Sequence, residues 1–148
     1  MRFYLGGTDM AGKKKVLVID DNPDIVENTR IVLESQDYEV YGAYDGEQGL
    51  AMVKQVNPDL IILDVMMKNL TEGFDVAREL RSKAPHPEYE DYCSIPILMI
   101  TSIHEQYNFH FDKDVGTEWL PVDAFIEKPV APADLLSKVK NMIGPSAA

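Results

Sequence analysis

Residues 58–67 read Pro58-Asp59-Leu60-Ile61-Ile62-Leu63-Asp64-Val65-Met66-Met67, and this stretch decides the fold. Leu60 to Leu63 is an unbroken apolar run containing two β-branched residues. Such a run suits a strand buried on both faces, the kind found at the centre of a parallel sheet. It stops abruptly at Asp64. A carboxylate at the carboxyl end of a central parallel strand points into the crevice where open α/β sheets bind their ligands. Taken alone, Asp64 is equally well explained as a loop cap, because Asp is common where strands end. The remainder of the chain decides between the two.

Working outward, Val16-Leu17-Val18-Ile19 is a second run of the same type and also ends in acid, at Asp20-Asp21. Asn22-Pro23-Asp24 then reads as a helix start, with a side-chain acceptor, a proline and an acid in the first turn. Ile25, Thr29, Val32 and Leu33 carry that helix over residues 23–36. Residues 38–44 alternate loosely and hold the β-formers Tyr38, Val40 and Tyr41, which predicts a strand. Asp45-Gly46 opens a helix that Asn57-Pro58 stops. Beyond the central strand comes a loop through Gly73 and a helix over about residues 74–83, with Val76, Ala77 and Leu80 on one side. Residues 84–94 form a longer connection than the architecture needs, an insertion. Ile95 to Thr101 is a fourth apolar strand ending in the hydroxyl pair Thr101-Ser102, and Ala124 to Glu127 a fifth, followed by Lys128-Pro129. Between them, Ile103, Tyr107, Phe111, Val115 and Trp119 recur every four residues. That repeat drifts around a 3.6-residue helix, so an irregular helix is expected. Pro132 begins a last helix with the stripe Leu135, Leu136, Val139 and Ile143, closed by Gly144-Pro145. Strand and helix alternate five times, which implies an α/β fold with a parallel sheet and helices on both faces.

At 148 residues the chain is one domain's worth. Lys plus Arg is 14 against 25 Asp plus Glu, a net charge of −11, so there is no electrostatic case for gripping nucleic acid. The single cysteine, Cys93, excludes an internal disulfide and a cysteine-built zinc site, which fits a reducing cytoplasm. Phe3-Tyr4-Leu5 is too short for a signal peptide, and no run approaches the roughly 18 apolar residues of a membrane span. Residues 1–13 are expected to be a flexible extension, with Met10 an alternative start, and residues 144–148 a tail. Cys93, His86, His104, His110 and Trp119 fit no ligand spacing.

Parallel strands all finish at one edge, so Asp20-Asp21, Asp64, Thr101 and Lys128 converge there although they are far apart in sequence. Three carboxylates that close repel one another unless a proton or cation intervenes. Asp oxygens with room for water suit a hard ion such as Mg²⁺. A lysine and a threonine hydroxyl opposite the ion offer what phosphoryl oxygens need. The chemistry suggested is phosphoryl transfer onto a carboxylate. Each residue alone has a plain reading as a cap or a solvated side chain, but five falling in order at the ends of four strands do not.

Across about residues 14–143 the chain resembles the receiver domain of two-component response regulators, through V-L-V-I-D-D-N-P, P-D-L-I-I-L-D-V-M-M, E-G-F, I-P-I-L-M-I-T-S and F-I-E-K-P. The resemblance implies a flavodoxin-like doubly wound five-stranded sheet, (βα)5, in strand order 2-1-3-4-5. It implies that Asp64 takes a phosphoryl group from a histidine kinase or phosphotransfer protein. Asp21 and Asp64 would ligate Mg²⁺ directly, with Asp20 helping through water and the Met66 carbonyl as another ligand, Thr101 and Lys128 would hold phosphoryl oxygens, and the Lys128–Pro129 bond would be cis. Phe125 stands where the family keeps its switch aromatic. Its inward turn, following Thr101, would change a surface read by a downstream protein; phosphorylation-dependent homodimerisation is a second output the residues leave open. On this reading the chain catalyses its own phosphorylation from that donor and slowly loses the group, as a cytoplasmic switch rather than a turnover enzyme.

The chain departs from the family pattern at Lys68, where a proline is usual, and at Gly73, one position late. Met66 and Ile103 flank the expected path of hydrolytic water and are apolar, which predicts slow self-dephosphorylation. A metal-dependent phosphatase also uses an Asp after an apolar strand, but Met66 stands where its general acid would be. A pseudo-receiver, binding without phosphorylation, would have no need of all five acceptor-site residues.

Overall fold

The structure, a computed structural model, describes residues 13–64, 72–81, 94–101 and 122–146. In chain order the elements are β1 (Lys15–Ile19), α1 (Pro23–Glu34), β2 (Glu39–Ala43), α2 (Gly46–Val56), β3 (Leu60–Asp64), α3 (Glu72–Arg81), β4 (Ile97–Thr101), β5 (Ala124–Glu127) and α4 (Pro132–Ile143). The five strands form one parallel sheet in the order β2-β1-β3-β4-β5. This is the expected flavodoxin-like order. β3 is central and buried along its whole length.

The alternation of each strand splits the core into two layers. Leu17, Ile19, Ile61 and Leu63 join Val53 of α2 and Val76, Ala77 and Leu80 of α3 on one face. Val16, Val18, Leu60 and Ile62 join Val26 and Leu33 of α1 and Leu135 and Val139 of α4 on the other. A fully buried aliphatic side chain here is worth about 1.5–3 kcal/mol in transfer alone. Truncating Ile61, wholly buried in the central strand, to alanine would cost about 2–5 kcal/mol once the cavity is counted.

Helix ends follow the sequence signals. Asn22 accepts the Asp24 N–H at 2.9 Å and Asp45 accepts the Gln48 N–H at 2.8 Å, each capping a helix start. Asn57 closes α2 in the left-handed conformation, φ 53°. Some bounds differ from expectation. α1 ends at Glu34, two residues early, where the Ser35 N–H bonds back to Ile31. Its inward stripe is Val26, Thr29 and Leu33; Ile25 and Val32 flank it, because 3.6-residue geometry carries them to its margin. α3 begins at Glu72, so Gly73 lies in its first turn and not in a preceding loop. The β4 ladder starts at Ile97, since Pro96 contributes only its carbonyl to Ile61.

The amino edge of the sheet is closed by hydrogen bonds. Asp59 accepts the Lys15 N–H at 2.8 Å while its own N–H donates to the Lys15 carbonyl. Asp123 repeats the device with Ile97, at 2.8 Å and 3.0 Å. The buried Tyr38 hydroxyl donates to the Gly144 carbonyl at 2.7 Å, and burial holds its proton on beyond the usual phenol range. Ser146 Oγ donates to the Asp37 carbonyl at 2.6 Å and accepts the Lys14 N–H at 2.9 Å, and Lys14 Nζ reaches the Ile143 carbonyl. Gly144 makes this return possible, with φ 80°. The expected insertion at 84–94 lies outside the described residues except Ser94. The irregular helix expected between Thr101 and Val122, and Cys93, His86, His104, His110 and Trp119, lie outside them entirely.

Candidate functional site

The opposite, carboxyl edge carries the acidic residues. β1 and β3 are adjacent and in register, Ile19 beside Leu63, so the residues that follow emerge side by side. Asp20, Asp21 and Asp64 each place a carboxylate oxygen within 4.8 Å of the others. Asp20 and Asp64 are 3% and 4% exposed, while Asp21 faces solvent. The Asp20 N–H donates to the Ala43 carbonyl at 3.1 Å, and Asp20 Oδ1 accepts the Asn22 N–H at 2.9 Å. The side chain is therefore fixed from both ends of its own residue.

Lys128, on the segment after β5, brings Nζ to 3.4 Å from Asp64 Oδ2. The Lys128–Pro129 peptide bond is cis. Among the described residues, the Lys128 ammonium faces three carboxylates. Burial, the largest cause, pushes Asp20 from 3.8 up to about 6; the Asn22 N–H opposes it, Asp64 and Asp21 add to it, and Lys128 offsets part. Such a donor set, all oxygen, anionic, half-buried and open to water on the Asp21 side, fits a hard divalent cation. Thr101 ends β4 opposite Glu127, on the same edge. Phe125 pairs with Met99 and packs, half-buried, against the α2/α3-side core. Met66 lies outside the described residues.

Two features escape a reading of the chain by periodicity. Asn22 serves twice, its side chain starting α1 and its backbone N–H holding Asp20. A groove of about 730 Å³ runs from Lys128 and Pro129 along α1, past Ile25, Asn28, Thr29 and Ile31. The signal for it was Ile31, an apolar residue off the buried stripe of α1 and 59% exposed.

Residues 16–140 match the response regulator receiver domain family. The alkaline phosphatase synthesis transcriptional regulatory protein PhoP of Bacillus subtilis (strain 168) is 37% identical over 130 residues, 88% of this chain and 48% of that protein. The chain thus spans about half the length of this curated relative. Among solved structures, the chemotaxis protein CheY4 of Vibrio cholerae superposes with a TM-score of 0.71 at 28% identity, covering 88% of this chain and 98% of that one. A CheY-like receiver domain protein of Methanospirillum hungatei JF-1 gives 0.69 at 27%, covering 88% and 94%.

Proposed function

The chain belongs to the response regulator receiver domain family, and from that membership we propose that it accepts a phosphoryl group on Asp64 and passes the signal on through protein contacts. The observation that carries the reading is the convergence of Asp20, Asp21 and Asp64 within 4.8 Å, with Lys128 Nζ 3.4 Å from the Asp64 carboxylate.

Asp64 is the nucleophile. Its carboxylate oxygen forms a bond to phosphorus as the phosphorus–nitrogen bond of a donor phosphohistidine breaks and the electron pair returns to the ring nitrogen. Mg²⁺, held by Asp20, Asp21, Asp64 and the Met66 carbonyl, would neutralise charge that builds on the phosphoryl oxygens. Lys128, already against Asp64, pairs with one of those oxygens, and Thr101 donates to another. The phosphoryl group brings about two negative charges. Drawing Thr101 toward them opens space for Phe125, and the surface around β5 and α4 changes with it. Apolar Met66 and Ile103 leave nothing to orient an attacking water, so the aspartyl-phosphate decays slowly.

The donor is a histidine kinase or phosphotransfer protein, and the groove gives it apolar surface beside Lys128, the residue that reaches Asp64. With a net charge of −11, the output of these residues is a protein target rather than nucleic acid. None of the helices among the described residues is long and apolar enough to cross a membrane, and a cytoplasmic location is part of the proposal.

The test is intact mass after incubation with Mg²⁺ and acetyl phosphate, beside Asp64→Ala. A single phosphate adduct in the wild-type protein alone, lasting minutes or longer, is expected. An adduct that survives Asp64→Ala, or none from either acetyl phosphate or a phosphorylated kinase, contradicts the proposal.

A further inference from the structure

Ile19 is the last residue of β1 and stands immediately before Asp20. Above it, on the sheet-facing side of α2, is Gly49. A methyl group on Gly49 would lie 2.5 Å from Ile19 Cδ1, 3.0 Å from Cγ1 and 3.1 Å from Cγ2. The three heavy atoms nearest that point all belong to Ile19, so the glycine forms a notch into which Ile19 fits. Ile19 is wholly buried, in the same core layer as Leu17, Ala43, Val53 and Leu63. In an interior packed like an organic crystal it has little room to turn aside.

Neither side of the notch can shift without reaching the acidic cluster. On the strand side, Ile19 is covalently joined to Asp20. On the helix side, α2 starts three residues after Ala43, whose carbonyl accepts the Asp20 N–H at 3.1 Å. That start is doubly pinned, by Asp45 capping Gln48 and by the Tyr44 N–H donating to Gln48 Oε1 at 3.0 Å. Helix propensity favours alanine over glycine inside a helix, so local preference does not explain Gly49. Close approach does.

We propose that Gly49 is a positioning residue for the acidic site: its missing side chain sets the depth of Ile19 and thereby the placement of Asp20 and Asp21 against Asp64. The inference rests on the cation-binding reading of that site. An ion that demands oxygen ligands at about 2.0–2.1 Å in near-octahedral array tolerates little displacement of Asp21 or of a water that Asp20 holds.

Calorimetric titration of Mg²⁺ into the whole chain, with an unfolding midpoint for each variant, tests this. Gly49→Ala is expected to weaken Mg²⁺ binding at least five-fold. Adding Ile19→Val, which removes the Cδ1 atom nearest the new methyl, should restore affinity to within two-fold. Val53→Ala, a truncation in the same core layer, should lower the midpoint and leave affinity unchanged; a merely structural role for Gly49 would make Gly49→Ala behave the same way. Ile19→Leu keeps the volume but moves a methyl group from the γ to the δ position, changing the shape that enters the notch with the helix untouched, and keeps the test open if Gly49→Ala folds poorly; a loss of three-fold or more is expected. Wild-type affinity in Gly49→Ala or in Ile19→Leu, or failure of Ile19→Val to restore it, overturns the proposal. Absence of Mg²⁺ binding by the wild-type protein would instead refute the site reading on which it rests.

Discussion

At the amino edge of the sheet, Asp59 and Asp123 each accept a strand N–H at 2.8 Å and return their own N–H to the same residue. At the carboxyl edge, Asp20 and Asp64 are buried beside Asp21, with one ammonium 3.4 Å from Asp64. The residue type is the same and the sheet is the same. One pair of carboxylates is spent on closing the ladder, while the other group crowds like charge that folding alone would not keep together. On the proposed reading, a bound cation is what relieves that crowding.

The largest effect separating the edges is chemical. Asp64→Ala should abolish the phosphate adduct entirely, whereas Asp59→Ala and Asp123→Ala should leave its yield unchanged, as intact mass would read directly.

Asp20→Asn should sharpen the contrast by moving stability and binding in opposite directions. Asp20 is raised from 3.8 to about 6, so the folded state holds its proton more tightly than the unfolded chain does. Its stabilising contribution is complete below about pH 4 and is lost as pH rises through about 6, a difference on the order of 2–3 kcal/mol. At pH 7.5 without Mg²⁺, the neutral amide should therefore raise the denaturation midpoint. Mg²⁺ affinity should fall ten-fold or more in the same variant. A midpoint that drops on this substitution would break the comparison.

Asp123→Ala should do the reverse, costing about 1–3 kcal/mol by leaving the part-buried Ile97 N–H without its acceptor, with Mg²⁺ affinity unmoved. Smallest is Tyr38→Phe. Losing the bond to the Gly144 carbonyl should cost about 0.5–1.5 kcal/mol and increase hydrogen exchange near the end of α4, with no change in phosphorylation.

The edges also differ in how far the chain announced them. The carboxyl edge was legible because four apolar runs end abruptly in polar residues, and parallel strands must bring those ends together. β3, buried along its length, and the caps at Asn22 and Asp45 follow from local chemistry alone. The amino edge was not legible. Asp59 and Asp123 look like ordinary turn residues until the register sets them beside Lys15 and Ile97, and Ser146 reaches Asp37 from the far end of the chain. Gly49 was hidden for the same reason, since a notch exists only once α2 lies on Ile19. Bounds slipped where a pattern continued past a backbone stop, as at Glu34 and Pro96, and where Gly73 suggested a loop although α3 had already begun.

The most direct test of the carboxyl edge is Mg²⁺ titration of the wild-type protein at pH 7.5 and at pH 5. The account predicts one ion bound at pH 7.5, and binding weakened by up to ten-fold at pH 5 with proton release, because the ion must displace the proton on Asp20. Binding of equal strength at both pH values, or none at either, would contradict it.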